Sequence, residues 1–295
     1  MTQDLRPRRT VLYLPGANAR AIEKARSLPA DTVIIDLEDA VAPDAKDAAR
    51  SAAVAAVEAG GWGDREIAIR VNGLGTPWAE ADFAAVSAAS VDLLVVPKVD
   101  CAADAGKAVG LAGGKPVWVL VETPRAVLQA DAIAAVPGIT GLIAGFADLT
   151  KDLRARPGPD RLPLHYAASR IVLAARAEGI LAFDGVFTDI RDPEGLESET
   201  RQSVEFGFDG KTCIHPDQLE TVNRLFSPSP DDIAHAHGLI AAHREALAQG
   251  RGVATFKGKL IEVLHVAEAH RTLKIAEVIG ELGGLAEKVA EIATE

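Results

Sequence analysis

Thr32-Val33-Ile34-Ile35-Asp36-Leu37-Glu38-Asp39 begins as a β-branched run and ends on three carboxylates. Its apolar part is continuous rather than alternating, the pattern of a strand covered on both faces of a parallel sheet. Seven more runs follow the same pattern: Thr10–Leu14, Glu66–Arg70, Asp92–Val96, Val117–Val121, Gly141–Gly145, Leu181–Phe183 and Lys211–Ile214. Between them lie Ala-rich stretches such as Asp44–Ala59 and Leu164–Glu178. Alanine gives up no side-chain entropy in a helix, so these segments propagate readily. Eight strand–helix units within residues 1–226 predict an α/β fold, a closed TIM (β/α)8 barrel. The open doubly wound sheet is the alternative that periodicity leaves standing. Leu14–Ala21 lacks the G-x-G-x-x-G form of a dinucleotide-binding turn.

The texture changes after residue 226. Pro228 and Pro230 mark a break, and Ser229 or Asp231 offers a helix cap. A helix to about Gln249 is expected, then a short turn or hairpin in Gly250–Leu260, then two further helical stretches. Residues 227–295 therefore read as a C-terminal helical extension, a lid or oligomer arm on the barrel.

Composition narrows the function. Of 295 residues 48% are hydrophobic, ample for a packed core. A formal net charge of −11 removes the counterion release that drives nucleic-acid binding, so no nucleic-acid partner is expected. A local basic patch for a phosphorylated cofactor stays compatible with that acidity. Cys101 and Cys213 lie far apart without CxxC spacing and read as reduced, small apolar residues. The N-terminal residues carry no apolar h-region, and no apolar run approaches the roughly 18 residues of a spanning helix. A soluble cytoplasmic protein with no membrane partner is the expectation.

Polar residues cluster where the runs end: Asp36, Glu38 and Asp39; Arg70 and Asn72; Lys98; Glu122; Asp148; Asp184; His215. In a (β/α)8 barrel those ends form the catalytic mouth. Helix capping and structural ion pairing are the plain alternative for each residue singly. Carboxylates from several strands, without cysteines, point to a hard cation bound by oxygens, Mg²⁺ with Mn²⁺ as substitute. Histidine spacing argues against zinc, and His235 and His237 read as solvated helix residues.

An ordered set of segments now carries a resemblance. Leu12–Gly16, Asp36–Val41, Arg70–Asn72, Pro97–Val99, Val121–Pro124, Gly210–Lys211 and Ile214–Pro216 resemble the citrate lyase β-subunit-like proteins of the HpcH/HpaI aldolase and malyl-CoA lyase superfamily. These are citryl, malyl and citramalyl thioester lyases and their thioesterase relatives. The match spans nearly the whole chain, including Phe256–Glu262. It implies a homo-oligomeric barrel, trimer or hexamer, with Mg²⁺ on Glu122 and Asp148. It makes Arg70 the forked clamp on a substrate oxygen pair, and places Glu38 and Asp39 behind metal-bound waters. Tyr13, Arg20 and Lys24 match coenzyme A contacts, and Ala147, Ile214 and His215 match positions lining the substrate channel. One departure stands out. Where the family carries an aspartate that acts as acid/base in a neighbouring subunit, Gly258-Lys259-Leu260-Ile261-Glu262 supplies glutamate, Glu262.

What the resemblance implies is a Mg²⁺-dependent carbon–carbon lyase cleaving a short 3-hydroxyacyl thioester to an acyl-CoA and a 2-oxo acid, coenzyme A being part of the substrate. Arg70, Glu122, Asp148 and Glu262 are its expected catalytic set. Three alternatives remain open: a thioesterase on the same substrates, an aldolase acting on free oxo-acids, and a citrate lyase β subunit within a larger complex.

Overall fold

Strand parity decides what each run shows to the barrel axis, because successive side chains point to opposite faces. The computed structural model describes residues 6–251 and 253–292. Eight strands form a closed barrel: β1 (Thr10–Pro15), β2 (Thr32–Asp36), β3 (Glu66–Arg70), β4 (Leu93–Val96), β5 (Val117–Val121), β6 (Ile139–Ala144), β7 (Leu181–Asp184) and β8 (Gly210–Cys213). Each strand is parallel to its neighbours, and β8 closes on β1 through Thr10 opposite Lys211. Closure excludes the open sheet.

Val11, Ile34, Ala68, Leu93, Val95, Trp118, Leu120, Ile143 and Phe183 fill the interior as one buried cluster. Trp118 and Phe183 are the large members, their ring centroids 4.4 Å apart. Their size explains a strand boundary. β6 starts at Ile139, ahead of the expected Gly141, and continues through that glycine because a Cβ there would lie 2.7 Å from the Trp118 ring. The glycine makes room for the core rather than starting the strand. β8 stops at Cys213, since the Ile214 N–H donates to Gln218 Oε1 at 2.8 Å and leaves the ladder.

The chain divides into two compact units, one of Arg8–Leu225 and one that joins the residues before Arg8 to the tail from Phe226 onward. In the tail a helix spans Pro230–Ala248, and Ser229 caps it in a reciprocal box with Asp232. A hairpin follows, β9 (Ala254–Phe256) with β10 (Lys259–Ile261), turning through Lys257 and Gly258 at positive φ. Ala246, Ala254 and Ile261 form its small core. Two closing helical stretches were expected; a single helix, Val263–Ile292, is found. It runs through the Gly283-Gly284 pair, because a glycine in a helix costs only about 1 kcal/mol and does not force a stop. No helix among the described residues is long and apolar enough to cross a membrane. Cys213 is buried, which pushes its thiol up to about 12, while Cys101 is part-exposed; both are free thiols.

Candidate active site

Continuing the inward parity by one step beyond the apolar core builds the mouth. Tyr13 follows Val11, Asp36 follows Ile34, Arg70 follows Ala68, and Glu122 follows Leu120. With Asp39, Gly145, Ala147, Asp148, Thr212, Ile214 and others they line a cavity of ≈ 410 Å³.

Asp36 and Arg70 are direct partners in the β2–β3 register. The Arg70 fork is spent there: Nε and Nη2 donate to the two Asp36 oxygens at 2.6 and 2.7 Å. Nη1 lies 2.8 Å from Glu38 Oε2, and the guanidinium carbon sits 5.0 Å from the Tyr13 ring centroid. Burial works against the Arg70 charge, but the Asp36 hydrogen bonds and nearby negative charge outweigh it, so its pKa is held above the ordinary value. The fork expected to clamp a substrate is thus paired with Asp36, and the third guanidinium nitrogen with Glu38. Burial also pushes the Glu38 carboxyl up to about 7, against the pull of Arg70.

On the opposite wall, the Lys98 N–H donates to Glu122 Oε1 at 2.7 Å, with Lys98 at a left-handed φ of 55°. Its ammonium lies 3.5 Å from that oxygen and also contacts Asp148 Oδ2. Burial raises the Glu122 pKa, and the Lys98 charge opposes the rise. Gly145 N–H donates to Val121 O at 3.0 Å, setting β6 flush against Glu122. A Cβ on Gly145 would stand 2.2 Å from the Glu122 Cβ, so only glycine leaves this carboxylate in place. Asp148 belongs to the first turn of the helix Phe146–Leu153, not to the strand end.

The Lys98 ammonium shows that a cation is accommodated between Glu122 and Asp148. Two carboxylates on one wall of a wet mouth suit Mg²⁺, which takes its remaining ligands from water and substrate. Among the described residues no group of three or more His, Cys, Asp or Glu is arranged to hold a metal.

The HpcH/HpaI aldolase/citrate lyase model matches residues 9–216. The chain belongs to this family. Within the HpcH/HpaI family, a (3S)-malyl-CoA thioesterase of Cereibacter sphaeroides is 46% identical over 95% of this chain and 98% of its own length. An L-malyl-CoA/β-methylmalyl-CoA lyase from the same species is 33% identical over 93% of this chain and 96% of its own. Among solved structures, CitE from Mycobacterium tuberculosis in complex with magnesium, acetoacetate and coenzyme A superposes with a TM-score of 0.80 at 31% identity, covering 92% of this chain and 99% of that one.

Placed in this family frame, the expected residues separate. Tyr13, Asp39, Arg70, Glu122, Ala147, Asp148 and Ile214 line one cavity. Arg20 and Lys24 are exposed on the helix Ala19–Ala25, one turn apart. His215 is not a strand-end group; it caps the turn Pro216–Gln218, its Nδ1 accepting from the Asp217 N–H at 3.3 Å. Glu262 lies in the tail, exposed, its N–H donating to His265 Nδ1 at 3.0 Å. Two other strand-end residues have structural partners. Asn72 binds Asp82 Oδ2 and Leu37 O, and Asp184 is fully buried among Arg161, Ser203 and Lys211.

Sequence reasoning placed Asp36 at the mouth without naming its partner, and gave no role to Lys46, whose Nζ donates to Leu37 O and Glu38 O at 2.7 Å each and pins the loop carrying Glu38. Strand parity was a sufficient signal for Asp36. Lys46 offered none, being a lysine in a helical stretch.

Proposed function

We propose that this protein is a Mg²⁺-dependent enzyme acting on a malyl-CoA-type thioester, and that its reaction is hydrolysis to the 3-hydroxy acid and coenzyme A. The observation that carries the metal site is the Lys98 ammonium lodged between Glu122 and Asp148. Hydrolysis is favoured over carbon–carbon cleavage by the gradient of likeness, 46% to the named thioesterase against 33% to the named lyase.

Glu122 and Asp148 hold the ion. When bound, Mg²⁺ supplies a Lewis acid that chelates oxygens of the acid unit and offsets charge building beside them. Asp36 and Glu38 hold the Arg70 guanidinium in one orientation beside the cavity, where its charge offsets negative charge on the acyl group. Arg20 and Lys24, one turn apart on an exposed helix face, supply positive charge for the coenzyme A phosphates. Glu262, from a neighbouring subunit of a homo-oligomer, is assigned the proton transfer. In hydrolysis water attacks the thioester carbonyl, the C–S bond breaks and the thiolate leaves, so a proton must reach sulfur.

Carbon–carbon cleavage is the second reading, supported by the lyase relatives and by the acetoacetate-bound CitE structure. Product analysis on (3S)-malyl-CoA with Mg²⁺ separates the two. Free thiol with malate is the expected result; acetyl-CoA with glyoxylate would install the lyase instead. Glu122→Gln is expected to abolish either reaction by about a thousandfold, and wild-type turnover in that variant removes the metal site.

A further inference from the structure

Tyr13 is the unexplained group in the mouth. Its ring lines the cavity, yet its hydroxyl is buried and has no hydrogen-bond partner among the described residues. A buried hydroxyl left unpaired is destabilising, so such a group marks a place where a ligand atom belongs. The neighbouring donors are already committed. The Arg70 fork is on Asp36, and the Thr212 hydroxyl donates to Asp184 O at 2.8 Å.

Position says which ligand atom. In the closed order of eight strands, β1 stands four places from β5, across the barrel from Glu122. An acid unit chelated on the Glu122–Asp148 wall therefore presents its other end toward β1. On a hydroxyacyl thioester that other end is the thioester carbonyl. We propose that the Tyr13 hydroxyl donates a hydrogen bond to the thioester carbonyl oxygen, strengthening as that oxygen gains negative charge. The proposal rests on the thioester reading above and holds for hydrolysis and carbon–carbon cleavage alike, since both build charge there. It moves Tyr13 from a coenzyme A contact to a donor at the reacting group. Burial, the largest influence, and the carboxylates around it raise the phenol pKa above its ordinary value despite Arg70, so the proton stays available.

Tyr13→Phe tests it with readouts of three kinds. The kcat on (3S)-malyl-CoA is expected to fall about a hundredfold, the scale of one lost oxyanion donor. Affinity for coenzyme A alone, by calorimetry, is expected to stay within about threefold, the ring being retained. The Tm of the ligand-free variant is expected to equal or exceed wild type, because an unpaired hydroxyl is removed. Undiminished kcat, a tenfold loss of coenzyme A affinity, or a Tm lower by several degrees would each overturn the assignment, the last by exposing a structural partner. Failure of the thioester reading is seen separately, as a wild-type protein that turns over no malyl-, citramalyl- or citryl-CoA.

Discussion

Lys98 engages Glu122 twice, through its backbone N–H at 2.7 Å and its ammonium at 3.5 Å from the same Oε1. The ammonium also pairs with Asp148. A divalent ion on these two carboxylates must displace that ammonium, while the backbone bond can persist. Lys98→Met is therefore expected to bind Mg²⁺ more tightly. The side chain is 43% exposed, which weakens its ion pairs. A gain of about tenfold, near 1.4 kcal/mol, is the reasonable scale. Calorimetric titration of the metal-free protein measures it, and equal or weaker affinity in the variant rejects the competition.

Gly145 controls the same carboxylate from just beyond the neighbouring strand β6. Gly145→Ala places a methyl 2.2 Å from Glu122 Cβ and 3.0 Å from Oε2, so Glu122 must move. Overpacking of this kind costs about 1–3 kcal/mol. Gly141→Ala is a matched control deeper in β6, where the added methyl meets Trp118 at 2.7 Å. Both variants are expected to lose stability in urea titration, but only Gly145→Ala should lose Mg²⁺ affinity, by at least about tenfold. Equal metal affinities in the two would separate Glu122 from the metal site.

The contrast between these glycines shows what the sequence could and could not reveal. The barrel was legible because β-branched runs such as Thr32–Asp36 and Val117–Val121 are continuous, a signature of two-sided burial. Glu122 was legible because a charge directly after Val-Leu-Val needs a wet mouth. Parity within the runs adds Asp36 and Tyr13, whose inward positions follow Ile34 and Val11. Other features depend on contacts distant in sequence. Nothing local told that the Arg70 fork would close on Asp36, that Lys46 would hold the Glu38 loop, or that His215 would cap a turn. The unbroken Val263–Ile292 helix escaped for another reason, since glycines weaken a helix without specifying its end.

Glu38 gives the metal-free protein a pH signature. Burial lifts its carboxyl to about 7, above the model-peptide value of 4.5. The folded state therefore holds this proton more firmly than the unfolded chain. Its contribution is fully present below about pH 4.5 and is lost as pH rises through about 7. Tm of the metal-free protein is expected to decline across that window, and Glu38→Gln should flatten the decline. Parallel Tm profiles for variant and wild type would show that Glu38 titrates at its ordinary value.

The fully buried Lys211 carries the largest stability prediction. Its Nζ reaches Asp184 Oδ2 at 3.0 Å, Gly185 O at 2.6 Å and Glu199 Oε1 at 2.7 Å. Arg161 completes the cluster at 2.9 Å from Asp184, and together these charges hold the Asp184 pKa down against its burial. Replacing such a pair by apolar groups is often neutral, but removing one partner strands a buried charge, at about 3–5 kcal/mol. Lys211→Met should show that loss in urea titration, with the m-value unchanged. The exposed Arg201–Glu197 pair supplies the comparison, and Arg201→Ala should shift the urea midpoint far less than Lys211→Met. A Lys211→Met penalty no larger than that of the exposed pair would mean water reaches Asp184 and screens it.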